Sequence, residues 1–163
     1  MDALLTWDNI LNRGYHSDLC PLLYFISTRA LPKFSGKTIP DSVLSQLKKH
    51  YNSSLVRNII LLQELKRVVN KLKENNIKVV VLKGAYLAEN VYKNIACRPM
   101  SDLDILVRDE DREKCYKILL SMGYVKVPES KQDKMMHHSF SSQLMGQNIF
   151  IEIHHRLVKE VFQ

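Results

Sequence analysis

The chain has 163 residues, 45% of them hydrophobic and 25% charged, which suits one globular domain, or a core with a helical extension. No apolar run is long enough to cross a bilayer, and the opening MDALLTWDNI lacks the basic region of a secretory leader. Cys20, Cys97 and Cys115 are odd in number and far apart, so reduced cytoplasmic thiols are expected rather than disulfides or a metal pair. The net charge of +7 is uneven: residues 1–100 hold 15 Lys/Arg against 7 Asp/Glu, and residues 101–163 hold 9 against 10. A basic first part attracts anions, but a solvated basic surface gives the same count.

In chain order, ALLTWDNILNR and LCPLLYFISTRAL predict two helices broken near Gly14 to Ser17. PKFSGKTIPD, Pro32 to Asp41, is a turn-rich linker. PDSVLSQLKKHYNSS resumes helix, with Asp41 as N-cap. The strongest periodicity runs from about Ser54 to Asn75, where Leu55, Ile59, Leu62, Leu65, Val69 and Leu72 recur at the spacing of one helical face. IKVVVLKG, Ile77 to Gly84, predicts a buried strand closed by glycine. AYLAENVYKN then predicts a short helix, SDLDILV a strand, and DEDREKCYKILLSMGY a helix with an acidic first turn and Gly123 at its stop. The tail HHSFSSQLMGQNIFIEIHHRL predicts a hairpin turning near Gly146. In its second arm Ile149, Ile151 and Ile153 share one face, and Phe150, Glu152 and His154 share the other. The expected fold is α/β (α+β): a small mixed sheet with helices mainly on one side, preceded by N-terminal helices. The expected division is a helical region over 1–76 and a core over 77–163.

In CRPMSDLDILVRDED, two acids interrupt an apolar strand. Residues i and i+2 of a strand share a side, so Asp102 and Asp104 project together while Leu103, Ile105 and Val107 face the core. Two such carboxylates repel, and one takes a raised pKa unless a cation lies between them. Oxygen ligands of this kind suit Mg²⁺, which binds through one or two carboxylates plus substrate phosphates. Glu152 also interrupts an apolar strand. If its strand lies beside the aspartate strand, three carboxylates converge, the ligand set of a two-metal phosphoryl-transfer site. Taken alone, the pair of aspartates is equally compatible with a solvated sheet edge.

The ordered set LKG, RPMSDLDILV and IEIHHRL resembles the nucleotidyltransferase superfamily of the DNA polymerase β type. Within it, the sequence is similar to a bacterial group with LKG before the aspartates and an ExH strand after them; the resemblance spans about Ile77 to Leu157. It implies that Asp102 and Asp104 bind two Mg²⁺ ions, with Mn²⁺ as a substitute. It further implies that Glu152 is the third carboxylate and helps to deprotonate the acceptor, and that Gly84 belongs to the phosphate-binding loop. The superfamily has serine after that glycine. Here the residue is Ala85, with Lys83 preceding the glycine, so Lys83 is the candidate point charge for the phosphates. The implied reaction moves an NMP from an NTP to an unidentified hydroxyl or amine acceptor.

Arg98 is a candidate phosphate clamp or a partner of Asp102 or Asp109. Ser101 is the candidate loop hydrogen-bonder. His137–His138 and His154–His155 look like a zinc set, but neighbours on a strand point to opposite faces, so at most one of each pair can reach a common site and zinc is the lesser reading. His154 shares its face with Glu152, as a carboxylate-orienting or phosphate-binding residue. Tyr86 and Tyr92 either pack or stack on a base. Two other functions stay open: a catalytically weak nucleotide-binding or antitoxin-like module on the same fold, and a nucleic-acid binder using the basic first part. The second ranks last, since no aromatics interleave with its cations. Oligomeric state is not legible, and no membrane partner is expected.

Overall fold

The computed structural model describes residues 6–29, 39–128 and 137–156. Most of the linker from Pro32 and the end of the IEIHHRL motif lie outside them. The chain divides into two compact units, residues 1–59 with 87–100 and residues 60–86 with 101–163.

In the first unit, Thr6 starts helix α1, Trp7–His16, its hydroxyl accepting from the Asn9 amide at 3.3 Å. Helix α2 is Cys20–Arg29. Gly14 does not break α1. It lets the two helices close on one another, since a Cβ there would lie 2.9 Å from the Leu23 side chain. The break falls at the end of the expected span, with Ser17 as the C-cap of α1 and Asp18 at φ +56°. Cys20, Val43 and Leu47 form a buried cluster, with Trp7, Leu11, Leu23, Tyr24 and Ile39 around it.

One helix, α3, runs Asp41–Glu74 where two were expected. No glycine or proline falls within it, and the polar run NSS costs only tenths of a kcal/mol per residue in helix propensity. Its buried residues also depart from the expected stripe. Ile60, Leu61, Leu62, Leu65, Val68 and Leu72 are buried, as are the polar Asn58 and Glu64, whereas Ile59 is exposed. Ile59 ends the first unit's share of the helix, so α3 does not present one continuous apolar face. Asn58 donates to the carbonyls of Ile95 (2.5 Å) and Arg98 (2.8 Å). It thereby holds the loop that contains the short 3₁₀ turn Ile95–Cys97. Asn76, at φ +59°, ends α3, and the Ile77 amide bonds back to Leu72.

The second unit is built on a five-stranded mixed sheet. Its strands are β1, Val79–Val81; β2, Leu103–Val107; β3, Val125–Lys126; β4, His137–Leu144; and β5, Gln147–His154. The order is β1-β2-β5-β4-β3. β2 and β5 are parallel and the other neighbours antiparallel. β1 is shorter than the expected Ile77 to Gly84, and as an edge strand it leaves Val80 exposed. Helix α4, Lys83–Asn90, begins almost at once, so Lys83 and Gly84 stand at the entry to a helix rather than at the end of a strand. A 3₁₀ turn, Asp109–Asp111, carries the acids expected in the first turn of the next helix, α5, Arg112–Ser121. Gly123 at φ +90° follows α5.

Alternation then sorts the sheet's two faces. Leu103, Ile105, Val107, Phe140, Ile149, Ile151 and Ile153 are all buried and share one face by register. α5 lies on that face, where Tyr116 meets Phe140 at 5.2 Å between rings. Burying such side chains contributes about 1.5–3 kcal/mol each before conformational entropy is subtracted. The opposite face carries the acids. Among the described residues, no helix is long and apolar enough to cross a membrane.

Candidate active site

The Met145–Gly146 turn, with φ +49° and +73°, is a two-residue hairpin connection that fixes register. It sets Ser139 opposite Glu152 and His137 opposite His154. The parallel β2–β5 ladder sets Asp104 opposite Glu152. Asp104, Glu152 and Ser139 therefore form one row across three strands, with His154 and His137 in the next.

Asp104 is only 5% exposed. Its Oδ1 lies 2.8 Å from His154 Nε2 and 2.6 Å from Lys83 Nζ. His154 Nε2 is 3.4 Å from Glu152 Oε2, Lys83 Nζ is 3.8 Å from the same oxygen, and His137 Nε2 is 3.9 Å from Glu152 Oε1. Lys83 reaches the cluster because the Leu82 amide bonds to the Asp104 carbonyl at 2.9 Å and the chain turns sharply after it. Lys83 itself sits at φ +42°, a left-handed conformation that costs a residue with a Cβ roughly 1–2 kcal/mol. Such backbone strain gathers at functional sites.

The two central carboxyls respond in opposite directions. Burial pushes Asp104 up, but the hydrogen bonds and charges of His154 and Lys83 outweigh it and hold the carboxyl below its ordinary value. Burial also pushes Glu152 up, and the carboxylates of Asp104 and Asp102 add to it against the pull of His137 and Lys83, leaving it raised. Lys83 is held more firmly protonated than usual. Desolvation opposes this, but the bond to Asp104 and the charges of Asp104, Glu152 and Asp102 prevail.

Asp104, Glu152 and His154 each offer a ligand atom within 4.8 Å of the others. Two carboxylates and an imidazole make a donor set that fits a divalent cation. Asp102 lies just before β2, near enough to act electrostatically on Lys83 and Glu152, but it is outside that closest trio. Gly84 is in the first turn of α4, and Ser101 is exposed. Arg98 belongs to the other unit, where its guanidinium donates to the Pro99 carbonyl at 3.4 Å. Tyr86 and Tyr92 are exposed rather than packed in a core. His138 and His155 stack on the sheet's other face, 6.1 Å apart. Burial, with Arg112 next, lowers the His155 pKa.

His137 is the site residue that reading along the chain misses. The available signal was the two-residue turn at Met145–Gly146: counting back equally from it pairs His137 with His154.

The mixed α+β fold, with its five-stranded mixed sheet, is consistent with that of a nucleotidyltransferase. The chain belongs to an uncharacterised nucleotidyltransferase family whose model matches residues 5–163, so the N-terminal helices are part of the match. It is a transferase with a nucleotide substrate. No curated protein and no solved structure matches the chain.

Proposed function

We propose that the protein transfers an NMP from an NTP to a hydroxyl or amine acceptor in a Mg²⁺-dependent reaction that releases pyrophosphate. The observation that carries this reading is the register of Asp104 against Glu152 on parallel strands. Asp104 and Glu152, with Asp102 at the strand entry, would hold the ions, two Mg²⁺ or Mn²⁺ in their place. Bound there, the metal neutralises triphosphate charge and makes the acceptor hydroxyl more acidic. The chain's own groups do the rest. His154 keeps Asp104 in one orientation, and Glu152 takes the acceptor's proton. The acceptor oxygen or nitrogen bonds to the α-phosphorus as the bond to the pyrophosphate oxygen breaks. Catalysis is then mostly positioning and charge stabilisation.

Ala85 is 2% exposed and offers no hydroxyl to a phosphate. The grip on the triphosphate falls to Lys83 and to the backbone around Gly84. Arg98 and Ser101 remain our candidates for further phosphate contacts. All three cysteines are free and buried, which supports a cytoplasmic setting. The loss of the loop hydroxyl favours a second reading, a nucleotide-binding regulatory module without turnover.

The test is transfer of α-³²P from each NTP to a panel of hydroxyl and amine acceptors, RNA ends included, with and without Mg²⁺. Asp104→Asn and Glu152→Gln should each lower turnover at least about a thousandfold, at the upper end of the loss caused by removing one preorganised electrostatic contact. Turnover retained in both variants removes the proposal. Nucleotide binding without transfer to any acceptor supports the regulatory module.

A further inference from the structure

The acids of the site already have a cation, and the chain supplies it. Lys83 Nζ reaches both Asp104 (2.6 Å) and Glu152 (3.8 Å), and Asp102 acts on the same ammonium. These are the oxygens that a divalent ion would also use. The two sides of the contact differ in freedom. Asp104 is fixed in β2 and held from its other side by His154 at 2.8 Å, with its side chain 5% exposed. The Lys83 side chain is 58% exposed on a flexible four-carbon stem. Only the lysine is free to leave, and the charges of Asp104 and Glu152 draw it back when nothing else holds it.

We infer that Lys83 is a resident counter-cation that competes with free divalent metal for Asp104 and Glu152, so that the site takes up metal together with a triphosphate rather than alone. An ammonium and a dication cannot share these oxygens without strong mutual repulsion. Metal arriving alone must expel Lys83 into water. Metal arriving on a triphosphate brings anionic oxygens that the expelled ammonium can pair with. Lys83 thereby selects the metal–nucleotide complex over the free ion. The triphosphate in this inference rests on the nucleotidyl-transfer reading, while the competition rests only on the carboxylate cluster.

The experiment is Mn²⁺ binding to the full chain, followed by the electron-paramagnetic-resonance signal of the free ion, with and without a non-hydrolysable ATP analogue. Lys83→Met should bind Mn²⁺ alone about tenfold more tightly than the parent, the scale of losing one charge-assisted contact. It should also lose the gain in affinity that the analogue gives the parent. Unchanged or weaker binding of Mn²⁺ alone to Lys83→Met overturns the inference.

A second measurement needs no variant. Amine-reactive labelling of Lys83, read by mass spectrometry, should rise when Mn²⁺ is added alone and fall again when the analogue follows. Labelling that Mn²⁺ does not move overturns the inference. A tenfold shift in Lys83→Met without transfer to any acceptor leaves the competition standing and removes the reaction. Transfer in the parent with no shift in Lys83→Met removes the competition alone.

Discussion

Replacing Tyr124 by Phe tests the polar tie inside the second unit. The Tyr124 hydroxyl donates to Glu64 Oε1 at 2.5 Å, with Glu64 4% and Tyr124 2% exposed. Arg67 donates to both oxygens of the same carboxylate, at 2.6 and 2.9 Å. The substitution removes one hydrogen bond to a charged, buried acceptor and leaves the ring in place. Such a bond contributes about 1.5–3 kcal/mol. Because Arg67 still covers Oε1, no bare charge is left behind, and about 2 kcal/mol is expected. With roughly 2.1 cal/mol/K of unfolding entropy per residue, that lowers Tm by about 6 °C for a chain of this length. Urea denaturation should show an earlier midpoint with an unchanged slope. In a Glu64→Gln background the same change should cost only about 1 kcal/mol, because the acceptor is then neutral. A loss below about 0.5 kcal/mol in the parent, or an equal loss in both backgrounds, refutes the reasoning.

The same pair also responds to pH. Burial pushes Glu64 up, but the hydrogen bonds from Arg67 and Tyr124 hold its carboxyl below the ordinary 4.5. Its contribution is therefore present above that pH and lost as pH falls through the lower folded value, so Glu64→Gln and the parent should converge in stability under acid urea titration. Tyr124 shifts the other way, raised first by burial and then by Glu64. Its contribution should be lost as pH rises above its unfolded value near 10, a decline that Tyr124→Phe should lack. Asn58→Ala removes the donor to two loop carbonyls and should cost about 2 kcal/mol by thermal unfolding. Finally, burial, with Asp111 behind it, raises the Cys115 thiol to about 12, so a thiol reagent at pH 8 should label it only after denaturant is added.

The parts of this architecture that depend on short repeats were legible in the sequence. Ile149, Ile151 and Ile153 alternate on one face, and the structure buries all three. Gly146 marked the hairpin, and LKG with SDLDILV pointed to the family. Parts set by tertiary register were not legible. β3 has two residues, too few for any period to register. The NSS run looked like a helix boundary, yet with no glycine or proline nearby α3 simply continues. The strand drawn from Ile77 to Gly84 is cut short because its ladder with β2 ends at Val81 opposite Ile105. Ile77 instead closes the end of α3. Apolar periodicity also cannot foresee Asn58 or Glu64 inside the helix, since each is buried against particular polar partners. The contact between Lys83 and Asp104 was hidden for a similar reason: it depends on a single backbone turn in a conformation that lysine seldom adopts.

The placing of β5 has one more consequence. It is the last of the described strands in the chain and yet lies at the centre of the sheet, between β2 and β4. Until Gln147–His154 emerges from the ribosome, the nascent polypeptide has Asp104 without Glu152 or His154 beside it. Insertion of a late central strand across such sequence distance is slow compared with local helix formation. If the proposed reaction uses these carboxylates, a product cut short before β5 lacks Glu152 and His154 and should transfer no nucleotide.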